Sequence, residues 1–289
     1  MEYRVFGATG LRISRIGFGG APAGISKYLG SEDRDGTDFK EGIRTALREA
    51  IRRGITYFDV APGYGGGRAE TLYGEALEPH RESIVLATKY AFDASWTPEK
   101  ASRELDESLD RLKTRRADIL QYHGNSFSHE LVERILASKV LDWAEEMKAK
   151  GRCRFTGITA EAPSAGLERL LLTGRFSTLL CAHNLIYQSW CDYQREPVGI
   201  IPLAKSLGMG IATMRPATSG FLQKLLPREF PGLDPARIAR MAVKFVLSTP
   251  EVDCAVVGMR STEEVSANAD LADDATDRYD LKELHNRFD

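Results

Sequence analysis

The chain has 289 residues, a formal charge of −2 and 43% hydrophobic residues, which is typical of a soluble globular protein and excludes a mainly disordered chain. The balanced charge does not favour nucleic-acid binding, no run of about 18 apolar residues predicts a membrane span, and no apolar signal core stands at the N-terminus. Because the four cysteines include no Cys-x-x-Cys pair, we expect a cytoplasmic protein without a disulfide framework or a cysteine-based zinc site.

Short apolar runs alternate with amphipathic segments along the chain. The first helical pattern, residues 41–53, carries apolar side chains at i, i+3, i+4, i+7 and i+8. Strands are predicted at residues 13–19, 55–60, 84–88, 118–122, 153–158, 178–182, 210–214 and 254–257. Helices are predicted at residues 41–53, 70–77, from Pro98 onward, at 129–150 as one long helix, and at 165–172, 197–206, 235–247 and 262–271.

This alternation predicts an α/β protein whose strands close into one parallel (β/α)8 TIM barrel domain over residues 1–289. The length agrees, since such barrels take about 250 residues. The opening segment MEYRVFGATGLR predicts an N-terminal β-hairpin that plugs the barrel. An open doubly wound sheet is the competing interpretation, but GFGGAPAG has Pro22 where the third glycine of a phosphate-binding turn would stand.

Titratable residues follow several predicted strands at their C-terminal ends, where the reactive groups of parallel barrels lie. Asp59 and Tyr64 follow the second strand, Lys89 the third and His123 the fourth. A lysine beside a tyrosine favours the phenolate and lowers its pKa, and a carboxylate keeps that lysine charged. A tyrosine of this kind suits proton exchange with a carbonyl or alcohol, and a histidine can donate to the developing alkoxide. None of these groups is an activated nucleophile, so we expect a hydride from a nicotinamide.

Each of these residues also has a structural interpretation. Asp59 and Lys89 would then be only an ion pair, Tyr64 an ordinary loop residue and His123 a buried histidine. A metal-dependent hydrolase or isomerase that uses Asp59, His123 and His183 as ligands is a further alternative. We expect no metal site, because no His-x-His pair follows the first strand and Lys89 would repel a cation.

The motifs, taken in order, resemble the aldo-keto reductase superfamily over nearly the full length. The segments YRVFGATGLRISRIGFGG, GITYFDVAPGYGGGRAETLYGEAL, IVLATKY, DILQYHG and VVGMRSTEEVSAN carry the resemblance. It implies that Asp59, Tyr64, Lys89 and His123 form a catalytic tetrad, in which Tyr64 is the general acid and Lys89 lowers its pKa. It further implies an NADP(H)-dependent enzyme, with NAD(H) as an alternative, that reduces small-molecule aldehydes or ketones or oxidises the corresponding alcohols.

The resemblance also implies an extended cofactor across the top of the barrel. The turn that contains Arg260 and Ser261 would hold the adenosine phosphate, with Glu264 and Asn268 near the adenine. A simple helix cap is the alternative for this turn. The residues implied in cofactor binding are Gly20, Ala21, Asp59, Thr159, Asn184, Met214, Arg215, Pro216, Gly220, Gly258, Arg260, Ser261, Glu264 and Asn268.

The sequence departs from the family pattern at the nicotinamide end. Thr159 and Ala160 replace the usual Ser-Asn, and Leu180 stands where the family has Gln. His183 or Asn184 would then replace the missing amide contacts. The altered contacts leave a second function open, a catalytically weak nicotinamide-binding regulatory or interaction protein of the same fold.

Two further departures concern cofactor choice and the substrate pocket. Glu264 stands where several relatives carry a basic residue, which weakens the preference for NADP over NAD. The short segment that follows Asn268 predicts an open or differently shaped pocket, with the polar loop at residues 26–40 as part of its rim.

Overall fold

A computed structural model describes residues 1–25, 36–193, 195 and 198–286. The strands in chain order are β1 (Tyr3–Val5), β2 (Arg12–Ser14), β3 (Ile16–Gly19), β4 (Tyr57–Asp59), β5 (Val85–Tyr90), β6 (Ala117–Tyr122), β7 (Cys153–Ala160), β8 (Thr178–Cys181), β9 (Gly210–Thr213) and β10 (Cys254–Gly258). Strands β3 to β10 close into a barrel in chain order, and β10 pairs in parallel with β3. The predicted (β/α)8 TIM barrel is therefore confirmed.

Helices surround the barrel, and amphipathic α2 buries Ile43, Ala46, Leu47 and Ala50 as its apolar stripe predicts. The described helices are α1 (Ala21–Gly24), α2 (Thr37–Arg52), α3 (Arg68–Leu77), α4 (Pro98–Arg111), α5 (His129–Ala137), α6 (Val140–Ala149), α7 (Ala165–Leu171), α8 (Ile200–Ser206), α9 (Phe221–Glu229), α10 (Pro235–Leu247), α11 (Thr262–Asp273) and α12 (Leu281–Asn286). No helix in the described ranges is long and apolar enough to cross a bilayer.

The prediction of one long helix at residues 129–150 is wrong, because the segment breaks between α5 and α6. The Ser138 hydroxyl donates to the Ile135 carbonyl at 2.7 Å and accepts from the Val140 amide at 3.2 Å. This side chain therefore competes with the backbone for helix hydrogen bonds at the break. The predicted start of another helix at residue 197 lies outside the described residues, and α8 begins at Ile200.

The N-terminal hairpin closes the bottom of the barrel. Strands β1 and β2 pair antiparallel, and Phe6, Leu11 and Ile13 are buried in the apolar cluster that fills the barrel interior. The Phe6 ring meets the Tyr57 ring edge to face, with centroids 5.6 Å apart. The predicted plug is confirmed, although Ile13 belongs to the hairpin and the first barrel strand starts only at Ile16.

Candidate active site

Alternation along the strands decides which side chains reach the top of the barrel, since every second residue points inward. In the lower part, Val85 and Ile119 are buried in the apolar interior. Further along β4 and β5 the inward positions are polar, namely Asp59 and Lys89, and His123 directly follows β6. These three residues line one cavity together with Tyr64, so the structure brings the predicted catalytic residues together.

Asp59 is held from two sides inside the barrel. Lys89 Nζ donates to Asp59 Oδ1 at 2.6 Å and to the Val60 carbonyl at 2.9 Å, while Gln121 Nε2 donates to Asp59 Oδ2 at 2.7 Å. Burial alone disfavours the ammonium, but the neighbouring Asp59 and Tyr64 raise the pKa of Lys89 above its ordinary value. The lysine is thus a fixed positive charge under the cavity.

Tyr64 lies beside this charge, with Lys89 Nζ 4.9 Å from its ring centroid. The loop that carries Tyr64 packs closely against helix α1, since a Cβ on Gly24 would lie 2.1 Å from the Tyr64 carbonyl oxygen. Burial raises the pKa of Tyr64, and Lys89 opposes this shift without cancelling it. Lys89 thus acts on Tyr64 in the predicted direction, but the pKa stays above its ordinary value because the cost of desolvating a phenolate exceeds the attraction of one lysine.

His123 faces the same space, with its ring centroid 6.0 Å from that of Tyr64. Burial and the nearby Lys89 charge lower the pKa of His123 to about 4. At neutral pH its imidazole is therefore uncharged and carries a single N–H. The cavity thus offers a phenol and a neutral imidazole above a buried ammonium.

The cavity has a volume of about 780 Å³, within the range of small-molecule and cofactor sites. Of the residues implied in cofactor binding, its wall includes Gly20, Ala21, Asp59, Thr159, Met214, Arg215, Pro216, Gly220, Gly258, Arg260, Glu264 and Asn268. Gly258 packs against Pro22, since an added Cβ would lie 2.5 Å from Pro22 Cγ. The wall combines exposed backbone, a guanidinium and a helix N-terminus, which suits a phosphate-bearing dinucleotide.

At the end of the wall that is predicted to hold the adenosine phosphate, the side chains already bond to one another. Both carboxylate oxygens of Glu264 accept from Arg260, one from the backbone amide at 2.7 Å and one from Nη2 at 3.0 Å. Ser261 does not line the cavity but caps α11, accepting from the Glu264 amide at 3.3 Å. Asn268 Nδ2 donates to the Glu264 carbonyl at 2.7 Å. Glu264 therefore competes with any phosphate for the Arg260 charge.

The structure does not bring the two expected substitutes for the amide contacts to the cavity wall. Asn184 Oδ1 accepts from the amides of Ile186 and Tyr187 in a turn after β8. His183 is buried, and its Nε2 lies 3.1 Å from Thr249 Oγ1 and 3.0 Å from Tyr193 Oη. Both side chains thus serve the loop and the core behind the barrel mouth.

The side chains at the positions that depart from the family pattern also make contacts within the protein itself. Thr159 lines the cavity, but its hydroxyl donates to the Gly124 carbonyl at 2.8 Å. Ala160 is buried, and Leu180 belongs to the apolar cluster inside the barrel. Of the predicted rim loop, residues 26–35 lie outside the described residues. Within the described ranges, no three His, Cys, Asp or Glu side chains converge as metal ligands.

Sequence reasoning missed several polar residues near the site, and Ser219, Gln223 and Lys224 are among those that line the cavity. Gln121 supports Asp59 from two positions before His123 on the same face of β6, so the two-residue strand period was the signal. Asn125 and Glu161 line the cavity just beyond β6 and β7. They stand in loops, where no periodicity assigns a side chain to one face.

The chain is similar to known oxidoreductases over most of its length. It is 29% identical to L-galactose dehydrogenase of Arabidopsis thaliana over 294 residues, covering 93% of this chain and 87% of that protein. It is 25% identical to L-glyceraldehyde 3-phosphate reductase of Escherichia coli (strain K12) over 238 residues, covering 77% of this chain and 63% of that protein.

Solved structures share the fold. Aldo-keto reductase AKR11C1 from Bacillus halodurans in its holo form superposes with a TM-score of 0.74 at 24% identity, covering 100% of this chain and 96% of that chain. An aldo/keto reductase from Klebsiella pneumoniae in complex with NADP and acetate superposes with a TM-score of 0.73 at 20% identity, with the same coverage of both chains. The aldo/keto reductase family model matches residues 15–236, and because this match spans well over half of the sequence, the chain belongs to the aldo-keto reductase family of oxidoreductases.

Proposed function

We propose that this protein transfers a hydride between NADP(H) and a small-molecule aldehyde, ketone or alcohol, with Tyr64 as the proton donor in reduction. The observation that carries the proposal is the buried Lys89–Asp59 pair, 2.6 Å between charged atoms, directly below a cavity that Tyr64 and His123 also line. Family membership and the NADP complex of the Klebsiella pneumoniae neighbour support this chemistry.

The cofactor, when bound, supplies or accepts the hydride. The residues of the chain handle the oxygen and its proton. In reduction, Tyr64 Oη gives its proton to the substrate oxygen, and the Lys89 ammonium stabilises the resulting phenolate. Asp59 keeps Lys89 charged and in place, and the neutral His123 donates its one N–H toward the same oxygen. In oxidation, the phenolate takes the alcohol proton.

The cavity wall supports an extended cofactor. Backbone at Gly20, Gly220 and Gly258 would lie against it, and Arg260 would face the adenosine phosphate. The Arg260–Glu264 pair weakens this phosphate contact, so NAD(H) remains the alternative cofactor.

A second candidate function is a nicotinamide-binding regulatory or interaction protein with weak catalysis. It is favoured by the occupied Thr159 hydroxyl and by the burial of Leu180 in the apolar interior. Both observations leave fewer side-chain contacts for the nicotinamide amide.

One set of measurements distinguishes between the two candidate functions. Binding of NADPH and of NADH is followed by quenching of tryptophan fluorescence, and turnover is measured on a panel of aldehydes, ketones and alcohols. Under our proposal Tyr64→Phe binds cofactor normally but loses about 100-fold or more in kcat, the usual contribution of a general acid. Cofactor binding without turnover of any substrate supports the second function, and unchanged turnover by Tyr64→Phe contradicts the proposed mechanism.

A further inference from the structure

The cavity wall contains a charged pair that the proton-transfer mechanism does not use. Glu161 follows β7 and Arg215 follows β9, and Arg215 Nη2 lies 2.7 Å from Glu161 Oε1. Both side chains line the cavity, with 30% of the Glu161 side chain and 45% of the Arg215 side chain exposed. The pair therefore presents opposite charges to whatever fills this part of the cavity.

The backbone holds both members of the pair. The Glu161 amide donates to the Asn125 carbonyl at 2.6 Å, which ties the end of β7 to the loop that follows His123. Arg215 has a φ of 58°, a left-handed conformation that costs a non-glycine residue about 1 kcal/mol or more. Such strain persists where the surroundings fix the conformation, as at ligand-binding sites.

The pair has unused hydrogen-bonding capacity. Arg215 occupies Glu161 Oε1 through Nη2, and no described residue contacts Oε2 within hydrogen-bond distance. The Asn125 carbonyl that the Glu161 amide contacts lies two residues after His123. The Glu161 backbone is therefore tied to the part of the chain that carries His123, and both residues line the cavity.

The chemistry of the pair selects among substrates. A hydroxyl group both donates and accepts, so it can donate to Glu161 Oε2 while accepting from a free N–H of Arg215. An alkyl chain would cover the two charges and return no hydrogen bond, which costs free energy. A substrate carboxylate could accept only from Arg215 and would be repelled by Glu161, so it would satisfy one member of the pair. A neutral chain with hydroxyl groups beside the reacting carbon satisfies both members.

We propose that Glu161 and Arg215 are specificity-determining residues that make the cavity selective for polyhydroxylated carbonyl substrates, of the hydroxyaldehyde and aldose class, over alkyl aldehydes of equal length. This inference rests on the proposed function, and it assigns Arg215, which the family resemblance implies in cofactor binding, to the substrate instead. A site built to bond a hydroxyl discriminates strongly against the analogue that lacks it. Because this pair is partly exposed, we expect kcat/KM for a hydroxyaldehyde to exceed that for the alkyl aldehyde of equal length by only about 10-fold to 100-fold.

The test compares glyceraldehyde with propanal, which have the same carbon number. The ratio of their kcat/KM values is measured for the wild type, Glu161→Leu and Arg215→Met. Hydration of the aldehydes affects every variant equally, so it cancels when ratios are compared. We expect each substitution to lower the ratio at least tenfold. Glu133→Leu removes the surface pair of Glu133 with Arg169 and is the matched control, whose ratio should equal that of the wild type.

The outcomes are distinguishable. A Glu161→Leu ratio within twofold of wild type overturns the inference, while turnover of propanal and its loss in Tyr64→Phe would leave the proposed function standing. A tenfold weaker Kd for NADPH in Glu161→Leu with an unchanged ratio assigns the pair to the cofactor and also overturns it. Absence of turnover with both aldehydes and both cofactors overturns the proposed function and this inference with it. Thermal unfolding of each variant shows whether the fold is retained.

Discussion

Gln121 Nε2 donates to Asp59 Oδ2 at 2.7 Å, the carboxylate oxygen that Lys89 leaves open. Gln121, Asp59 and Lys89 are buried residues, with exposed fractions of 1%, 3% and 3%. A hydrogen bond to a buried charged group contributes about 1.5–3 kcal/mol. Gln121 therefore fixes the orientation in which Asp59 holds Lys89 below Tyr64.

Replacing Gln121 with Met keeps the length of the side chain but removes this donor. We expect kcat to fall about tenfold or more with little change in KM, and the free energy of unfolding to fall by about 1–3 kcal/mol. Steady-state kinetics and denaturant unfolding measure the two effects. Ile119→Val, on the same strand and inside the barrel, should cost about 0.5–1.5 kcal/mol and leave kcat unchanged. A wild-type kcat for Gln121→Met would show that Lys89 alone positions Asp59.

The barrel was predictable because each of its strands is an apolar run followed by a helical pattern. The break between α5 and α6 was not, because Ser138 ends a helix through hydrogen bonds that helical periodicity does not report. The helices α1, α9 and α12 were also missed. Helix α1 has four residues and α12 has six, which is too short to show a helical period, and α9 has no buried residue. Apolar periodicity therefore identified the longer helices that bury an apolar face on the barrel.

The clustering of Asp59, Tyr64, Lys89 and His123 around one cavity was predictable for a related reason, since the ends of parallel strands meet at one face of a barrel. Residues in the loops beyond those ends were not. Asn184 lies only three residues after β8, yet it turns back to accept from the amides of Ile186 and Tyr187. Glu161 directly follows β7 and does line the cavity. Loop backbone conformation, which residue type alone does not determine, separates these two cases.

Glu264 is expected to control cofactor choice. Its carboxylate accepts from the Arg260 amide and guanidinium, so in the proposed binding mode the 2′-phosphate of NADPH would have to displace it. In Glu264→Gln the competing charge is gone, and we expect Kd for NADPH to fall about tenfold, with little change for NADH. Fluorescence titration with each cofactor gives the ratio of NADPH affinity to NADH affinity. Glu263→Gln, on the same helix but exposed, is the matched control. An unchanged ratio of NADPH to NADH affinity in Glu264→Gln would place the adenosine phosphate away from Arg260.

The pH dependence of the two reaction directions should differ because of Tyr64. Burial, opposed by Lys89, raises the pKa of this phenol above 10.0. The protonated form that reduction needs is therefore present at neutral pH, whereas the phenolate that oxidation needs forms only as pH rises. We expect kcat/KM for alcohol oxidation to increase up to at least about pH 10, and carbonyl reduction to stay level from neutral pH to about pH 9. Initial rates in both directions test this.

Replacing Lys89 with Met provides a second test of Tyr64 as the group that sets the pH dependence. The substitution removes the positive charge that favours the phenolate, so the alkaline rise of oxidation should move to higher pH while the overall rate falls. An oxidation profile that reaches its plateau near neutral pH in the wild type would instead identify a different group as the proton acceptor.

His183 is expected to make the fold sensitive to acid. Burial lowers its pKa to about 4, whereas an unfolded histidine titrates near 6.5. Between these values the unfolded chain binds a proton that the folded chain does not, so stability falls as pH decreases from about 6.5 toward 4. The lowered pKa corresponds to a decrease of up to about 3 kcal/mol in the free energy of unfolding between pH 6.5 and pH 4. His123 shifts in the same direction and adds a similar contribution.

Replacing one of the two histidines should remove its contribution to the pH dependence of the free energy of unfolding. His183→Gln retains a polar side chain that can meet Thr249 and Tyr193, but it cannot take up the proton. We expect it to be less stable than the wild type at pH 7, yet its free energy of unfolding should decrease less steeply with acid, by up to about 1.4 kcal/mol per pH unit. Urea unfolding at intervals between pH 7 and 4.5 measures both slopes. His129→Gln, at a side chain that is 84% exposed, is the control and should keep the wild-type slope. Parallel slopes for His183→Gln and the wild type would mean that His183 becomes protonated without unfolding, which its burial beside Tyr193 and Phe245 argues against.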